Sequence, residues 1–161
     1  MSTVEKWSAL STETPLISNA AFSNLLNNTA VTSAVFNNTQ ASGTVGAGGV
    51  GGDVFATLKF ILVMAVGASA NTGFTVWVLR SLDGGATYDS GTAVFMATQP
   101  ARTTVGAPTD TTQMQATRDI MLPPGFIKFL VKNDGTGQAT KTDATATGSS
   151  MTITTYSRQS V

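Results

Sequence analysis

Histidine and cysteine are absent from all 161 residues, and the nine basic and nine acidic residues leave only a thin coat of charge. Histidine is the one side chain whose unperturbed pKa lies in the physiological range, and cysteine is the readiest nucleophile and soft metal ligand. A chain with neither acts mainly through its surface. The missing cysteines also exclude a disulfide framework, and they leave the redox compartment open. Long apolar runs are missing as well. The longest, 60–68, is about half of the roughly 20 residues that span a bilayer as a helix, so no membrane partner is expected. Residues 1–10 place Glu5 and Lys6 where a secretory signal needs a basic start followed by an apolar run, which predicts no export by that route.

Charge excludes a further class. The formal net charge is zero, and Arg80, Arg102, Arg118, Lys128, Lys132 and Lys141 are scattered along the chain. Neither nucleic acid nor an anionic lipid surface would be drawn to such a field. Little repulsion keeps copies apart, which favours a homo-oligomer.

What is abundant is threonine, 27 residues of it, together with period-two apolar patterning. In 126–133, Ile127, Phe129 and Val131 share one face and Lys128 and Lys132 the other, as on a half-buried strand. In 57–66, Leu58, Phe60, Leu62, Met64 and Val66 line one face, while Ile61 and Val63 make the second face apolar too. That run predicts a central strand covered on both sides. Phe74, Val76 and Val78 stand opposite Trp77 and Leu79 within 73–82, where Trp77 reads as core. Further strands are expected at 30–36, 92–98, 114–122 and 150–157, and a short helix at 18–27. Asn133-Asp134-Gly135 predicts a tight hairpin, and Pro123-Pro124-Gly125 a stop between strands. Seven or so strands with such turns predict an all-β single β-sandwich, jelly-roll-like in its winding. Residues 29–161 would form it. Residues 1–28 carry Trp7, Leu10, Leu16, Ile17 and Phe22 without sustained periodicity, which predicts either an extended N-terminal contact arm or a first strand tucked into the sandwich. The glycine-rich stretch 43–53 and the Thr/Ala/Gly-rich 135–148 read as long loops suited to contact roles.

Candidate chemistry is sparse. Residues 46–51, Gly-Ala-Gly-Gly-Val-Gly, spell the dinucleotide fingerprint, but they lead into an apolar strand and not into the helix whose N-terminus would receive a pyrophosphate. No cofactor is therefore expected. Asp83 with Asp89, and Asp110 with Asp119, are spaced as solvated turn residues, with nothing aiming either pair at a common point as glycoside hydrolysis requires. No calcium loop or other metal site is spelled out. The chain is not expected to be an enzyme.

The sharpest local signal is Ser81-Leu82-Asp83-Gly84-Gly85-Ala86-Thr87-Tyr88. It resembles the Asp-box, the Ser-x-Asp-x-Gly-x-Thr-Trp hairpin repeated in sialidase-type propellers, with Tyr88 in place of the usual tryptophan. The resemblance implies that Asp83 accepts backbone N–H groups to close the turn, that Gly85 takes a strained conformation, and that Tyr88 folds back on the core. The motif is structural, so no glycosidase activity follows from one copy. Together with the apolar β pattern and the Thr/Ala/Gly/Asn-rich linkers, this hairpin gives the chain a style similar to virion proteins of tailed bacteriophages, above all the small head decoration, or cement, proteins. That resemblance implies a non-catalytic structural protein made in the host cytoplasm and located on the virion capsid. Its partners would be the major capsid protein, or another virion protein, and its own copies, most simply as a homotrimer. A tail, collar or fibre-attachment role is the nearest alternative. A carbohydrate-binding module stacking sugars on Trp7 or Tyr88 is the alternative from another class.

Overall fold

Alternation of buried and half-exposed side chains, residue by residue, is what the backbone displays in its longest strands. The structure is a computed structural model that describes residues 5–39, 54–63, 73–98, 113–134, 136–140 and 149–160. In chain order its elements are β1 (Glu5–Trp7), β2 (Thr14–Ile17), α1 (Asn19–Phe22), β3 (Ala30–Thr32), β4 (Phe36–Asn38) and β5 (Phe55–Val63). They continue with β6 (Gly73–Ser81), β7 (Thr92–Thr98), β8 (Gln113–Met121), β9 (Gly125–Asp134), β10 (Ser150–Tyr156) and β11 (Arg158–Ser160).

Two antiparallel sheets pack face to face, one in the order β2-β10-β5-β8 and the other β3-β9-β6-β7, with β4 also on β9. Apart from the step from β3 to β4, both of which pair with β9, and the β6–β7 hairpin, the chain changes sheet at each step from β2 through β10, bringing strands distant in sequence side by side. That order is the wrapped double Greek key of a jelly roll. Leu58, Phe60 and Leu62 of β5, Met151 and Ile153 of β10, Phe74 and Val76 of β6, and Ile127, Phe129 and Val131 of β9 meet between the layers. Phe60 of one sheet lies edge-on to Phe74 of the other at 6.0 Å and to Phe22 of α1 at 5.9 Å. Deleting a ring at such a junction, as in Phe60→Ala, costs about 3–5 kcal/mol of lost transfer energy and residual cavity.

Several expectations need correction. β5 is central in its sheet, but only one face is covered: Lys59 is exposed, and Ile61 and Val63 are half-buried on the outside. Trp77 lies on the outer face of its sheet, because Val76 and Val78 take the inward positions. The helix is shorter than the spacing suggests. Ser18 caps it, accepting the Ala21 N–H at 3.4 Å, and the left-handed φ of 55° at Asn24 follows its end. The expected strand at 30–36 is two short strands, divided where Ser33 donates its N–H to Phe129 O (2.7 Å) and accepts the Phe129 N–H at its hydroxyl (2.9 Å). Asn133 and Asp134 remain in the ladder opposite Phe74 and Gly73, so neither makes the expected tight turn. The glycine-rich 43–53 and most of 135–148 lie outside the described residues.

Asn133 is instead fully buried. Its amide donates to Gln138 O (2.9 Å) and Leu25 O (3.3 Å), and it accepts the Thr136 hydroxyl at 2.6 Å. Beside it the buried Thr140 hydroxyl accepts the Leu25 N–H at 2.7 Å and donates to Phe22 O. A buried polar group left without partners costs about 1–3 kcal/mol, and here these two side chains tie the segment after α1 to the end of β9.

Residues 5–17 run antiparallel along 151–160. Glu5 opposes Ser160, the Ser8 N–H donates to Ser157 O (2.8 Å), the Ser11 N–H to Thr155 O (3.0 Å), and Ile17 opposes Met151. Thr14–Ile17 is thus the first strand of the sandwich, while Glu5–Trp7 makes a separate two-stranded sheet with Arg158–Ser160. Within the first strand Leu16 and Ile17, with Phe22 beyond, belong to the core and are closed to any partner of the folded domain.

Candidate contact surface

The strand pairings collect five chain segments at one end of the sandwich. Phe55 opens β5 opposite Met121, which ends β8, and opposite Tyr156, which ends β10. The short 122–124 connection starts β9 at the same end, where Phe126 opposes Ser81, the last residue of β6. The 82–91 turn therefore projects from here as well.

The turn is built by its own hydroxyls and carboxylates. Ser81 donates its hydroxyl to Asp83 Oδ1 (2.7 Å) and accepts the Gly85 N–H (2.7 Å). Asp83 accepts the Thr87 N–H at Oδ1 (2.9 Å) and the Thr87 hydroxyl at Oδ2 (2.5 Å). Asp89 Oδ1 accepts the N–H groups of Arg80 (2.8 Å) and Gly91 (3.0 Å). Gly84 and Gly85 supply φ of 72° and 96°, the left-handed backbone that a Cβ disfavours. The Thr87 bonds above all, then the Ser81 hydroxyl, hold the Asp83 carboxyl well below the usual carboxylate range. With both oxygens occupied, Asp83 acts as a staple. Tyr88 folds back so that its hydroxyl is buried and Lys128 Nζ sits 4.4 Å over its ring. Tyr88 thus presents no open stacking platform on that face.

Onto this framework the chain places apolar side chains facing outward. Leu82 at the turn is 87% exposed, Met121 71%, and Leu10 67%, with Val54 also exposed. Each has a fixed base. The Leu122 N–H donates to Val54 O at 2.8 Å, and the Asn38 amide to Pro123 O at 3.0 Å. Phe55 stacks on Tyr156 at 5.7 Å and 18° beside Met121. Leu10 is held between Ser8 and Ser11 on the β10 side. Of the other exposed large apolar residues among those described, Leu26 and Val35, neither lies on these turns.

Between the N-terminal strand and β4 a groove of about 260 Å³ opens into the edge of the sandwich. Leu10, Phe36 and Ile153 supply its apolar lining and Ser11, Thr12, Thr14 and Thr155 its hydroxyls, and no charged side chain among the described residues lines it. Across the outer face of β10 and β5, Glu13 accepts the Thr152 hydroxyl (2.5 Å) and pairs with Lys59 (3.5 Å), and these partners, Thr152 first, lower its pKa.

The structure thus brings Ser81, Asp83, Gly85, Thr87 and Tyr88 together and divides the five apolar residues of the N-terminal segment. Leu10 stands outside, Leu16, Ile17 and Phe22 are core, and Trp7 has its backbone in β1 opposite Arg158 while its side chain lies outside the described residues. Of the carboxylates singled out, Asp119 accepts the Thr57 hydroxyl at 2.6 Å on the sheet face, and Asp110 and the 46–51 glycines are outside the described residues. Val54, Leu82 and Met121 escaped sequence reasoning. The only signal was an apolar residue at each turn boundary, which alternation alone assigns to a strand face. No helix among the described residues is long and apolar enough to cross a membrane, and no three metal-ligating side chains among them cluster.

Family models, curated proteins and solved structures were compared with the chain, and none matches it.

Proposed function

We propose that this protein is a non-catalytic structural binding protein, a decoration (cement) protein that attaches to a phage capsid shell through the Leu82–Met121 end of its sandwich. The observation that supports this reading most is that Leu82, Met121 and Val54, all exposed, lie at the end of the sandwich where β6 and β8 stop. Exposed apolar side chains scattered singly need no explanation, but a group rimmed by polar turns marks a protein contact. The staple at Asp83 and the clamp at Pro123 present these side chains in fixed positions, so little conformational freedom is lost on docking. Low charge fits the same role, since the centre of a protein contact is depleted of charged residues.

Bound copies would stabilise a shell by mass action, because a ligand that binds only the assembled state shifts the equilibrium towards it. The major capsid protein is the partner in this reading, and the outer capsid surface the location. The test is co-sedimentation with empty shells of the tailed phage whose genome encodes the chain, together with thermal melting of those shells. The wild-type protein is expected to co-sediment and raise the shell melting temperature. A Leu82→Asp/Met121→Asp double variant is expected to do neither while keeping its own fold. Full binding by the double variant would refute the assignment of this surface, and no binding by the wild type would refute the shell reading.

A further inference from the structure

We propose that residues 5–14 form a strap that opens as one unit on a hinge at Pro15 and, in opening, unseals the groove beside Phe36 and Ile153. The strap is clasped by polar bonds. The Ser8 and Ser11 N–H groups donate to Ser157 O and Thr155 O, and the hydroxyls of the same two serines accept the Ser157 and Thr155 N–H groups, both at 2.8 Å. Each serine thus makes both bonds of an antiparallel pair, its side chain standing in for its own carbonyl.

These clasps join two segments of unequal length. Ser8 and Ser11 are three steps apart along the strap, whereas their partners Ser157 and Thr155 are two steps apart, so one residue is surplus and Leu10 is pushed out into water. A surplus residue of this kind is a bulge, which goes unpaired and disrupts the ladder locally. Ala9, Thr12, Glu13, Thr14 and Pro15 are exposed too, and Ser8 and Ser11 are half-buried, so no side chain from 8 to 15 is buried. The bonds of Glu13 to Thr152 and Lys59 lie on the same exposed side. Segments with few buried apolar contacts and exposed hydrogen bonds are the ones that open well below the global unfolding free energy.

The strap has a sharp boundary. Pro15, opposite Thr152, has no N–H to give the ladder, and immediately beyond it Leu16 and Ile17 are buried in the core. Opening therefore stops there. The strap is itself one wall of the groove, through Leu10, Ser11, Thr12 and Thr14, and Phe36, Ile153 and Thr155 of the body make the other. When the strap lifts, the wall on the body faces water. The inference does not rest on the shell reading, since neither Leu82 nor Met121 belongs to the strap or the groove.

The test is native-state hydrogen exchange on the full chain across a series of sub-denaturing urea concentrations. The Ser8, Ser11, Thr155 and Ser157 amides are expected to exchange through one shared opening that urea scarcely changes. The Phe129 amide, bonded to the Ser33 hydroxyl, is expected to exchange only with global unfolding and to respond steeply to urea. Ser11→Ala should speed exchange at the other clasp, Ser8 and Ser157, by about two- to tenfold, the range for one net hydrogen bond. Because the chain has no cysteine, Thr155→Cys reports on the groove: a thiol reagent should reach this buried position through the same urea-insensitive opening. Three results would overturn the proposal: strap amides with the urea dependence of Phe129, a Ser8–Ser157 clasp indifferent to Ser11→Ala, or Thr155→Cys labelled only on global unfolding. The wild-type urea series decides the first of these without any variant, and none of the readouts involves a shell.

Discussion

The two ends of the sandwich solve opposite problems. At the end where β6 stops, polar side chains satisfy the turns locally while Leu82, Met121 and Val54 are left in water. At the other end, where β9 stops, polar side chains go inside: Asn133, Thr136 and Thr140 are buried, Asn133 and Thr140 bind the backbone of Leu25 and Phe22, and Thr136 donates to Asn133. The difference teaches where each end spends its specificity. Buried polar groups fix one arrangement of the chain because any other leaves them unpaired. Exposed apolar groups on rigid turns contribute nothing to the lone domain and acquire value only against another surface.

Substitutions can break or sharpen this contrast. The largest effect is expected at the polar end, where Asn133→Leu removes the amide that serves Gln138 O and Leu25 O and is expected to cost about 3 kcal/mol in urea unfolding. A loss below about 1 kcal/mol would mean that the network is not what holds that end.

Next comes the hairpin, where two glycines separate conformation from crowding. A Cβ at Gly91, with φ of 78°, would stand 3.1 Å from Val78 O and 3.2 Å from Leu79 Cγ, whereas at Gly84, with φ of 72°, it would meet nothing within 4 Å. Gly91→Ala is expected to cost about 2 kcal/mol and Gly84→Ala about 1 kcal/mol, the left-handed backbone being common to both. Equal losses would show that the loop relaxes around Gly91.

A smaller effect, visible in its pH dependence, belongs to Asp83. Its carboxyl is lowered in the folded protein, so its contribution is present above the unfolded carboxylate pKa of about 3.9 and fades as pH falls through that value and on towards the folded one. Unfolding of Asp83→Asn should therefore differ from wild type at pH 7 and converge with it in acid. A constant difference across pH would remove the charge from the explanation. Smallest of all, Leu82→Ser should leave stability within about 0.5 kcal/mol of wild type. A loss of 2 kcal/mol would place Leu82 in the fold and not at a contact.

Much of this architecture was legible in the sequence because alternation was. Ile127, Phe129 and Val131, or Phe74, Val76 and Val78, announce a buried face at a period of two. The hairpin was legible for a different reason: Ser81, Asp83, Gly85 and Thr87 carry local hydrogen-bond and φ requirements that no tertiary contact needs to supply. What remained hidden depends on long-range pairing. Leu16 and Ile17 show no period of their own because only two consecutive side chains reach the core, and they do so against Met151, far along the chain. Asn133 looked like a turn former for the same reason, since its partners Leu25 and Gln138 meet only in the finished fold. The contact surface was the least legible part. An exposed leucine and a buried one are the same letter, and strand pairing alone decides which is which.

The pairing of residues 5–17 with 151–160 also sets a schedule for the newborn chain. Strand β2 leaves the ribosome well before β10, its sheet neighbour among the described residues. At about 5–20 residues per second, Leu16 and Ile17 wait several seconds for the surface that will cover them. The step that closes the sandwich is thus a late one, joining strands more than a hundred residues apart, and topology of this kind folds slowly. Pulse-labelling hydrogen exchange during refolding should find the Ile17 amide protected after those of β6 and β9, and protection at the same moment would mean that the sandwich closes in a single step.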